Sequence, residues 1–447
     1  MRRWCVVGGG MLGLELARRL AAGGDRVAVW ESSSRLGGLA APWRIGDVVW
    51  DRFYHVIAGA DAELLELLRT IDLEGDVQWM KAQTGFYAGG RLHRFSSVVD
   101  FATFPALNPI EKVRLGLSIL YAARVNDWRA LEEITAVEWL TRLCGRGVVR
   151  KIWLPLLRAK LGDNAQRASA AFIWTIIKRM YGARQSAAKQ ECFGVVTGGY
   201  AHVLARLVDR LRGLGIELRT DVPVERVERV ADGRIAVRHS GGEFELFDDV
   251  ALTVPASRAA ALCPQFSPDE RRRLEDIEYQ GVVCLSLLLR KPLSPYYITN
   301  ITDPTPFTAV IEMDALVGTD PFRGNALVYM PKYVASSDPI FERDDEEITA
   351  QFVATILRMY PHLCANDIVA ARVAKARFVL PLSTLGYSKR IPGFATSIPN
   401  VYVANSTQIV NGTLNVNQTL MLARDAMEAI DRDRREGRAP ARLEVCA

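Results

Sequence analysis

Three glycines near the N-terminus have a spacing that suits the binding of a phosphorylated ligand. The chain there reads Gly8-Gly-Gly10-Met11-Leu12-Gly13. Gly8 permits a tight turn, Gly10 lets the backbone approach a pyrophosphate, and Gly13 lets a following helix pack close to the preceding strand. Met11 and Leu12 lie where that helix begins, and the N-terminal end of a helix favours negative charge. The turn therefore predicts a dinucleotide site.

The elements around this turn are those that such a site requires. The apolar run from Trp4 to Val7 predicts a strand buried on both faces, and Leu14 to Ala22 has the pattern of an amphipathic helix. A second strand, Arg26 to Trp30, leads to Glu31, which follows Gly13 by 18 residues. This is close to the spacing expected for a carboxylate that binds an adenosine ribose. These features alone do not distinguish FAD from NAD.

A second glycine motif separates the two cofactors by resemblance. Its residues are Glu31-Ser32-Ser-Ser-Arg35-Leu-Gly37-Gly38-Leu39. The segment resembles the FAD-dependent amine oxidase, protoporphyrinogen oxidase and phytoene desaturase superfamily, in which an acid is followed by an arginine and a glycine pair. Gly37 and Gly38 would let the backbone pass close to the cofactor, and Arg35 could meet a phosphate. The resemblance implies FAD, with Ser32 and Leu39 among its contacts.

The resemblance continues in two further segments. Asp51 to Ile57 is similar to the segment that places a strand beside the flavin ring, and His55 occupies a frequent histidine position there. This implies that His55 contacts the cofactor and is a candidate catalytic residue. As a lone residue, His55 would more often be a hydrogen-bonded structural histidine. Val224, which follows a proline, is implied to contact adenine through its backbone.

The C-terminal flavin motif departs from the superfamily. After the predicted strand Val401 to Ala404 the family commonly has glycine and then an acid, whereas this chain has Asn405 and Ser406. Amides and hydroxyls can still hydrogen-bond hydroxyl groups and phosphate oxygens. Residues two apart on a helix point in different directions, so one of Asn415 and Asn417 should contact flavin while the other caps the helix or meets substrate. The expected flavin contacts are Asn405, Ser406, Asn415, Val416 and Asn417. The alternative is a loop of turn formers with a helix cap.

Two cysteine observations bear on the chemistry. No cysteine lies near the C-terminal flavin motif, so FAD is expected to bind non-covalently. Amine oxidases proper carry a lysine on a substrate-domain strand, and alignment through Arg290-Lys-Pro292 puts Cys284 at that place. An ordinary amine oxidase mechanism is therefore disfavoured, and Cys284 is most simply a buried apolar thiol.

The stretch from Phe101 to Glu191 has a helical pattern and an excess of positive charge. Lys and Arg number 15 there and Asp and Glu number 7, a net charge of +8 against +5 for the whole chain. An anionic substrate or an anionic membrane surface would be attracted to it, although solvated helix faces with excess arginine explain the charge as well. Lys112 to Tyr121 has the content of an interfacial helix, which core packing explains equally well. Candidate substrate-pocket residues in the later strands are Glu312, Tyr329 and Arg377.

The predicted fold class is α+β, with a Rossmann-type FAD domain that includes a β-meander, and a substrate domain of mixed helices and sheet. The FAD domain is assigned to residues 1–98, 192–265 and 379–430. The substrate domain is assigned to residues 99–191 and 266–378, and residues 431–447 to a frayed tail.

Composition excludes several other classes. The 447 residues carry a net charge of only +5 and no nucleic-acid-binding motif, which argues against a nucleic-acid partner. Seven scattered cysteines and five histidines show no metal-ligand spacing, so no metal site is expected. Apolar strand residues begin at Trp4 and no apolar run is long enough to span a bilayer. We expect a cytoplasmic protein that at most lies on a membrane.

The favoured function is oxidation of a small-molecule or lipid-linked substrate, by hydride transfer from a C–H bond to flavin N5 as in protoporphyrinogen oxidase. One alternative is a flavoenzyme similar to UDP-galactopyranose mutase, which isomerises a nucleotide sugar without net redox change and needs reduced flavin. The other is a flavin-bound protein without catalysis, in which no substrate would reduce the flavin.

Overall fold

The computed structural model of the protein describes residues 1–183, 192–410 and 412–436. The strands are β1 Arg3–Val7, β2 Arg26–Trp30, β3 Pro42–Ile45, β4 Val48–Asp51, β5 Ile57–Ala58, β6 Val77–Lys81, β7 Thr84–Ala88, β8 Arg91–Arg94, β9 Cys192–Val196, β10 Glu217–Arg219, β11 Val224–Arg229, β12 Ile235–His239, β13 Phe244–Phe247, β14 Asp249–Leu252, β15 Tyr279–Leu289, β16 Ile298–Ile301, β17 Ala309–Glu312, β18 Ala326–Ala335, β19 Ile368–Pro381 and β20 Val401–Val403. The helices are α1 Met11–Ala22, α2 Ala62–Thr70, α3 Val98–Thr103, α4 Pro109–Arg124, α5 Trp128–Leu131, α6 Ala136–Val148, α7 Leu154–Leu161, α8 Ala170–Ala183, α9 Gly199–Gly213, α10 Ala256–Leu262, α11 Pro268–Glu275, α12 Asp314–Val317, α13 Asp345–Met359 and α14 Val416–Glu436.

Five strands from both ends and the middle of the chain form one parallel sheet in the order β10, β2, β1, β14, β20. This sheet is apolar on both faces because helices cover one side and the β11–β13 meander with α10 covers the other. On β1, Trp4 and Val6 join the core formed with α1, α9 and α14. Cys5 and Val7 point the other way, into the core formed with the meander. The continuous apolar run at the N-terminus is thus buried on both faces, as its sequence predicts.

A second, seven-stranded sheet has the order β19, β15, β18, β17, β16, β7, β8. Strand β15, which lies between β19 and β18, is buried along its whole length. Val283, Leu285 and Leu287 of β15 pack on the side covered by α13. Val282 and Cys284 face the opposite side, towards Tyr54 and other residues of the N-terminal third. We call these two sides the α13 face and the Tyr54 face.

Helices α4, α6 and α8 enclose a separate hydrophobic core. Trp139, Trp153 and Trp174 are buried in it, with Leu380 and Leu382 from the end of β19. The indole N–H of Trp174 donates to the carbonyl groups at the end of α4, at 3.1 Å to Ala122 O. The helical pattern between residues 101 and 183 is therefore a packed unit that contacts the seven-stranded sheet.

Three boundaries differ from the division expected from sequence. The β7–β8 hairpin lies before residue 98, yet it pairs with β16 in the seven-stranded sheet. Helix α11 packs through Leu274 in the core beneath the parallel sheet. Residues 431–436 continue α14, and Arg434 donates to Asp25 at 2.7 Å, so this part of the predicted tail is ordered helix. Residues 437–447 lie outside the described residues.

Within the described part of the chain, no helix is long and apolar enough to cross a membrane. In the same residues, no group of three or more His, Cys, Asp or Glu side chains is arranged to hold a metal ion. Six of the seven cysteines are described, and each is a free thiol.

Candidate functional site

The glycine turn after β1 has the backbone that its spacing predicts. Gly8 has φ of +112°, a conformation that residues with a side chain rarely adopt. A Cβ atom at Gly13 would lie 2.0 Å from Gly8 O and 2.8 Å from the Thr253 hydroxyl oxygen. The first turn of α1 can therefore pack against the end of β1 only because residue 13 is glycine. Thr253 supports the turn by donating to Gly8 O at 3.0 Å, a contact that the sequence did not indicate.

The second glycine pair packs directly on the first turn. The Gly37 N–H donates to Gly9 O at 2.7 Å, and a Cβ at Gly38 would lie 3.1 Å from the Gly10 Cα. Gly10 itself is different, because the nearest atom to a Cβ placed there is the Gly38 Cα at 3.9 Å. The protein does not fill the space in front of Gly10. This opening fits the predicted approach of a pyrophosphate to the backbone.

Helix α1 presents its N-terminus beside this opening. Gly10 is the N-cap residue, so no side chain caps the helix, and the first turn contains no acidic residue. Met11 and Leu12 place their side chains in the core, with 5% and 7% exposure, and contribute their backbone to the first turn. N–H groups at this position have no partner within the helix, and the helix dipole adds positive potential. The arrangement suits a diphosphate.

Glu31 lies at the end of β2 with its carboxylate fixed by backbone groups. One oxygen accepts from the Gly9 N–H at 2.7 Å and the other from the Ser33 N–H at 2.8 Å. The second oxygen also accepts from the Ser33 hydroxyl at 2.8 Å. An ionised carboxylate has about four acceptor positions, so the oxygen that accepts from Gly9 retains capacity for a hydroxyl donor. The adjacent Ser32 is exposed and its hydroxyl lies 3.3 Å from the same carboxylate. This geometry fits the predicted contact with a ribose diol.

A second arginine, besides the predicted Arg35, lies at the second glycine turn. Arg35 is exposed and donates to Pro42 O at 3.2 Å. Arg52 instead donates to Gly38 O at 2.8 Å, and its buried Nε has no hydrogen-bond partner among the described residues. Burial and the nearby Arg372 lower the pKa of Arg52. Leu39 packs against the hydrophobic cluster that contains Trp43 of β3. Nothing in the local sequence distinguishes the two arginines, since the β3–β4 hairpin brings Arg52 back to the turn.

His55 lies in a polar cluster between the two sheets. Its Nδ1 is 3.6 Å from an oxygen of Asp51, which is buried, and its ring centroid is 4.8 Å from that of Tyr200. The other Asp51 oxygen accepts from the Tyr200 N–H at 2.8 Å. Asp51 thus holds the start of α9, while the buried His55 Nδ1 has no hydrogen-bond partner among the described residues. His55 retains 17% side-chain exposure, so it is accessible to a small ligand.

Three polar side chains from distant parts of the chain meet on the Tyr54 face. The hydroxyls of Tyr54 and Tyr333 are hydrogen-bonded at 2.9 Å, and Lys160 Nζ lies 3.9 Å from the centroid of the Tyr333 ring. Burial, with Tyr333 close by, raises the pKa of Tyr54 well above its ordinary value. The Tyr54 hydroxyl therefore stays protonated near neutral pH. Residues 54, 160 and 333 are too far apart in sequence for this group to be predicted.

The three candidate pocket residues occupy different positions. Tyr329 lies on the Tyr54 face, but it is fully buried and its hydroxyl donates to Asp51 O at 2.5 Å. Glu312 and Arg377 lie on the α13 face, so they do not line a pocket with Tyr329. Glu312 is fully buried against Ser294, and Arg377 lies over the Phe341 ring and pairs with Glu342. Glu312 pairs with Val328, the neighbour of Tyr329 on β18, and successive residues of a strand face opposite sides of the sheet.

Cys284 is on the Tyr54 face with Tyr329 and is fully buried. Burial raises the pKa of its thiol, which therefore remains protonated at neutral pH. A buried neutral thiol cannot replace the ammonium group of a lysine. The structure agrees with the expectation that Cys284 is an apolar core residue.

The C-terminal amides mostly hold the protein to itself. The Asn405 carbonyl oxygen accepts from the Thr407 N–H at 3.1 Å, and Ser406 begins the short helical turn that Asn405 caps. Asn415 accepts from the Gln418 N–H at 3.0 Å and so caps α14. The predicted capping role is therefore confirmed for Asn415. Asn417 accepts from the Leu64 N–H at 3.0 Å, which fixes the start of α2.

Two predicted contacts depend on backbone. Val416 is the first residue of α14, and its buried side chain belongs to the core of the parallel sheet. Val224 begins β11, and its carbonyl accepts from Arg258 at 3.1 Å. The Val222 N–H donates to Glu31 O at 2.9 Å, which ties the loop before β11 to the Glu31 region. The meander is thus anchored next to the predicted adenosine site.

Comparison with known proteins gives a family. The family of flavin containing amine oxidoreductases matches residues 13–415. Coproporphyrinogen III oxidase of Mycobacterium tuberculosis is 28% identical over 287 residues, which cover 60% of this chain and 62% of that protein. The 15-cis-phytoene desaturase of Synechococcus elongatus is 24% identical over 196 residues, which cover 40% of this chain and 41% of that protein. The matched regions thus span less than two thirds of these curated relatives.

The fold is shared with solved structures over almost the full length. A candidate protoporphyrinogen oxidase from an Exiguobacterium species superposes with a TM-score of 0.76 and 20% identity, covering 97% of this chain and 99% of that one. At this identity the likeness concerns the fold alone. Together with the match over residues 13–415, it means that the chain belongs to the family of flavin containing amine oxidoreductases.

Proposed function

We propose that this chain binds FAD non-covalently and oxidises a small-molecule substrate at a C–H bond, in the manner of protoporphyrinogen oxidase. The observation that carries the cofactor assignment is the unfilled space at Gly10, between the N-terminus of α1 and the Gly37-Gly38 turn. A dinucleotide has its pyrophosphate between two nucleoside halves, and Glu31 lies where the ribose of one half would reach. The parallel sheet would then be a Rossmann-type FAD domain.

Each part of the cofactor has residues that would hold it. The backbone at Gly10, Met11 and Leu12 would bind the pyrophosphate, Glu31 the adenosine ribose, and Val224 the adenine. Residues after β20 and at the start of α14 would bind the flavin half, namely Asn405, Ser406, Val416 and Asn417, while Asn415 caps the helix. Arg52, whose guanidinium is half-buried at the second glycine turn, adds a positive charge that the sequence did not assign.

When bound, FAD would accept a hydride at flavin N5. The chain's own contribution is to position the substrate and to control protons and water. Tyr54 offers a neutral hydroxyl hydrogen-bonded to Tyr333, which can hold a proton or donate a hydrogen bond. His55, held between Asp51 and Tyr200, offers a ring nitrogen in the same region. Lys160 supplies a positive charge next to Tyr333 for an anionic substrate group.

The substrate class follows from the relatives and from one missing residue. Cys284 stands where amine oxidases proper carry a lysine, which disfavours amines. The relatives include a coproporphyrinogen III oxidase and a 15-cis-phytoene desaturase. A porphyrinogen bears carboxylates, whereas a carotenoid is uncharged. Lys160 and the basic helical stretch favour the carboxylated substrate.

The test is anaerobic reduction of the bound flavin by candidate substrates. We expect heat or acid to release FAD from the purified protein. We also expect coproporphyrinogen III to bleach the absorbance of the oxidised flavin, at roughly 450 nm, in a single turnover. Phytoene and putrescine should leave this absorbance unchanged. Release of NADP, or of no nucleotide, would refute the cofactor assignment. Flavin that no substrate reduces, with sugar-nucleotide isomerisation after chemical reduction, would support the mutase-like alternative.

Substitution of Lys160 tests the anionic substrate. For Lys160→Met we expect KM for a carboxylated substrate to rise about 10- to 100-fold with little change in kcat, because a hydrogen bond to a charged group contributes about 1.5–3 kcal/mol. Lys291→Met is the matched control, since Lys291 is an exposed lysine paired with Asp367. Steady-state kinetics of both variants give the comparison. Equal KM values for Lys160→Met and Lys291→Met would show that Lys160 does not meet the substrate.

A further inference from the structure

Helix α4 exposes a continuous apolar surface. Of the fourteen large hydrophobic side chains that are exposed in the described residues, six lie between residues 99 and 121. One is Val99 of α3. The other five form what we call the α4 surface: Ile110 (68% exposed), Val113 (62%), Leu117 (61%), Leu120 (39%) and Tyr121 (55%). The clustering is far from the even scatter of single apolar residues that soluble surfaces usually show.

The spacing of the α4 surface is helical. At 100° per residue, its five side chains fall within an arc of about 100°. The opposite side of the helix is the one that packs on the protein, where Leu115, Ser118 and Ala122 are buried. A capping box formed by Asn108 and Glu111 fixes the start of the helix. One side of the helix thus packs on the protein, and the α4 surface on the other side is apolar and has no protein partner among the described residues.

Positive charges border the α4 surface. Arg114 and Arg124 are exposed. In helical projection Arg114 lies about 70° from the centre of the surface, just beyond Tyr121, and Arg124 lies about 10° from the centre, at the C-terminal end of the helix. Neither forms an ion pair with a carboxylate in the described residues, whereas Glu111, on the side of the helix that packs on the protein, is paired with Lys151. Just after the helix, Arg129 lies over the Trp128 ring at 4.5 Å. An apolar stripe with one arginine beside it and another at its C-terminal end, neither paired with a carboxylate in the described residues, complements a surface that is apolar inside and anionic outside.

We propose that the α4 surface is a docking site for an anionic lipid bilayer, with helix α4 lying in the plane of the interface. The five apolar side chains would enter the boundary between headgroups and acyl chains, and Arg114 and Arg124 would meet lipid phosphates. A second copy of the chain is the less suitable occupant. A two-fold contact through the same stripe would bring the unpaired arginines of both copies together. The proposal does not depend on the catalytic function.

Vesicle co-sedimentation of the FAD-loaded full chain tests the proposal. We expect the protein to bind vesicles of phosphatidylcholine with roughly 30% phosphatidylglycerol, and to bind phosphatidylcholine alone much more weakly. Binding to the anionic vesicles should weaken at 0.5 M salt, because charges are then screened within about 4 Å. Val113→Glu/Leu117→Glu should lower the partition constant on the order of 30-fold or more, since two apolar side chains leave the interface. Arg114→Gln/Arg124→Gln should abolish most of the preference for anionic vesicles.

The matched control is Val369→Glu/Leu385→Glu, which changes two apolar side chains of 42% and 45% exposure elsewhere on the molecule. It should bind vesicles like the wild type. Unchanged flavin content and melting temperature would show that the α4 variants are folded. The proposal is overturned if the wild type ignores anionic vesicles at low salt, or if the α4 variants bind as well as the control. It is also overturned if light scattering finds a dimer that Val113→Glu/Leu117→Glu converts to a monomer.

Discussion

Gly10→Val is expected to give a folded protein that retains no flavin. A Cβ atom at residue 10 meets no protein atom closer than the Gly38 Cα at 3.9 Å, and Gly10 has φ of −72°, which valine tolerates. The fold should therefore survive. The same side chain would occupy the space into which the pyrophosphate must come, against the N-terminus of α1. Absorbance of the purified protein and the amount of nucleotide released by heat measure the loss.

The matched variant is Gly13→Ala, in the same turn. Its Cβ would lie 2.0 Å from Gly8 O, so α1 must shift away from β1, and overpacking of this kind costs about 1–3 kcal/mol or more. We expect a lower melting temperature for the flavin-free Gly13→Ala protein and an unchanged one for flavin-free Gly10→Val. Wild-type flavin content in Gly10→Val would contradict the site assignment, and equal destabilisation of both apoproteins would contradict the open space at Gly10.

Glu312→Gln is expected to remove a large pH dependence of stability. Glu312 is fully buried on the α13 face, and burial raises its pKa to about 8 despite hydrogen bonds from Ser294. The unfolded carboxyl loses its proton near pH 4.5, so between about 4.5 and 8 the folded state binds more protons than the unfolded state. Stability from this group is fully present below pH 4.5 and falls as pH rises to about 8. The loss is on the order of 3–5 kcal/mol.

The amide of glutamine imitates the protonated carboxyl, because it can accept from the Ser294 N–H and donate to the Ser294 hydroxyl. Glu312→Gln should therefore match the wild type near pH 5 and exceed its free energy of unfolding at pH 8.5. Denaturant titrations across this range provide the measurement. Glu346→Gln, at an exposed carboxylate of α13, is the control and should keep the wild-type slope. A Glu312→Gln slope equal to that of this control would show that Glu312 is ionised in the folded protein.

The cofactor end of the site is predictable from sequence because its determinants are local. The turn Gly8 to Gly13 needs a positive φ at its first residue and a missing side chain at its last, and both requirements act between residues a few positions apart. Glu31 could be predicted because a strand, a helix and a strand have nearly fixed lengths, so counting residues places the acid at the end of β2. The capping role of one C-terminal asparagine is local in the same way, and Asn415 fills it.

Contacts made across the fold could not be predicted in this way. Arg35 follows the family pattern, yet Arg52 reaches the second glycine turn because the β3–β4 hairpin folds back on it. Asn417 was expected near the flavin motif, and it secures the start of α2 through Leu64. Such partners depend on which elements lie side by side, and residue type alone carries no information about that.

The sequence alone determined the conformation of the glycine turn Gly8 to Gly13, the strand and helix around it and the presence of a basic helical insertion. Periodicity and glycine positions carry this information because they act between residues close in sequence. Only the tertiary structure decided which residues share a face. Glu312 and Arg377 lie on the α13 face, while Tyr54, Lys160 and Tyr333 meet on the other. The reason is physical: a strand sends successive side chains to opposite sides, and the sides become different only when the sheet is paired and covered.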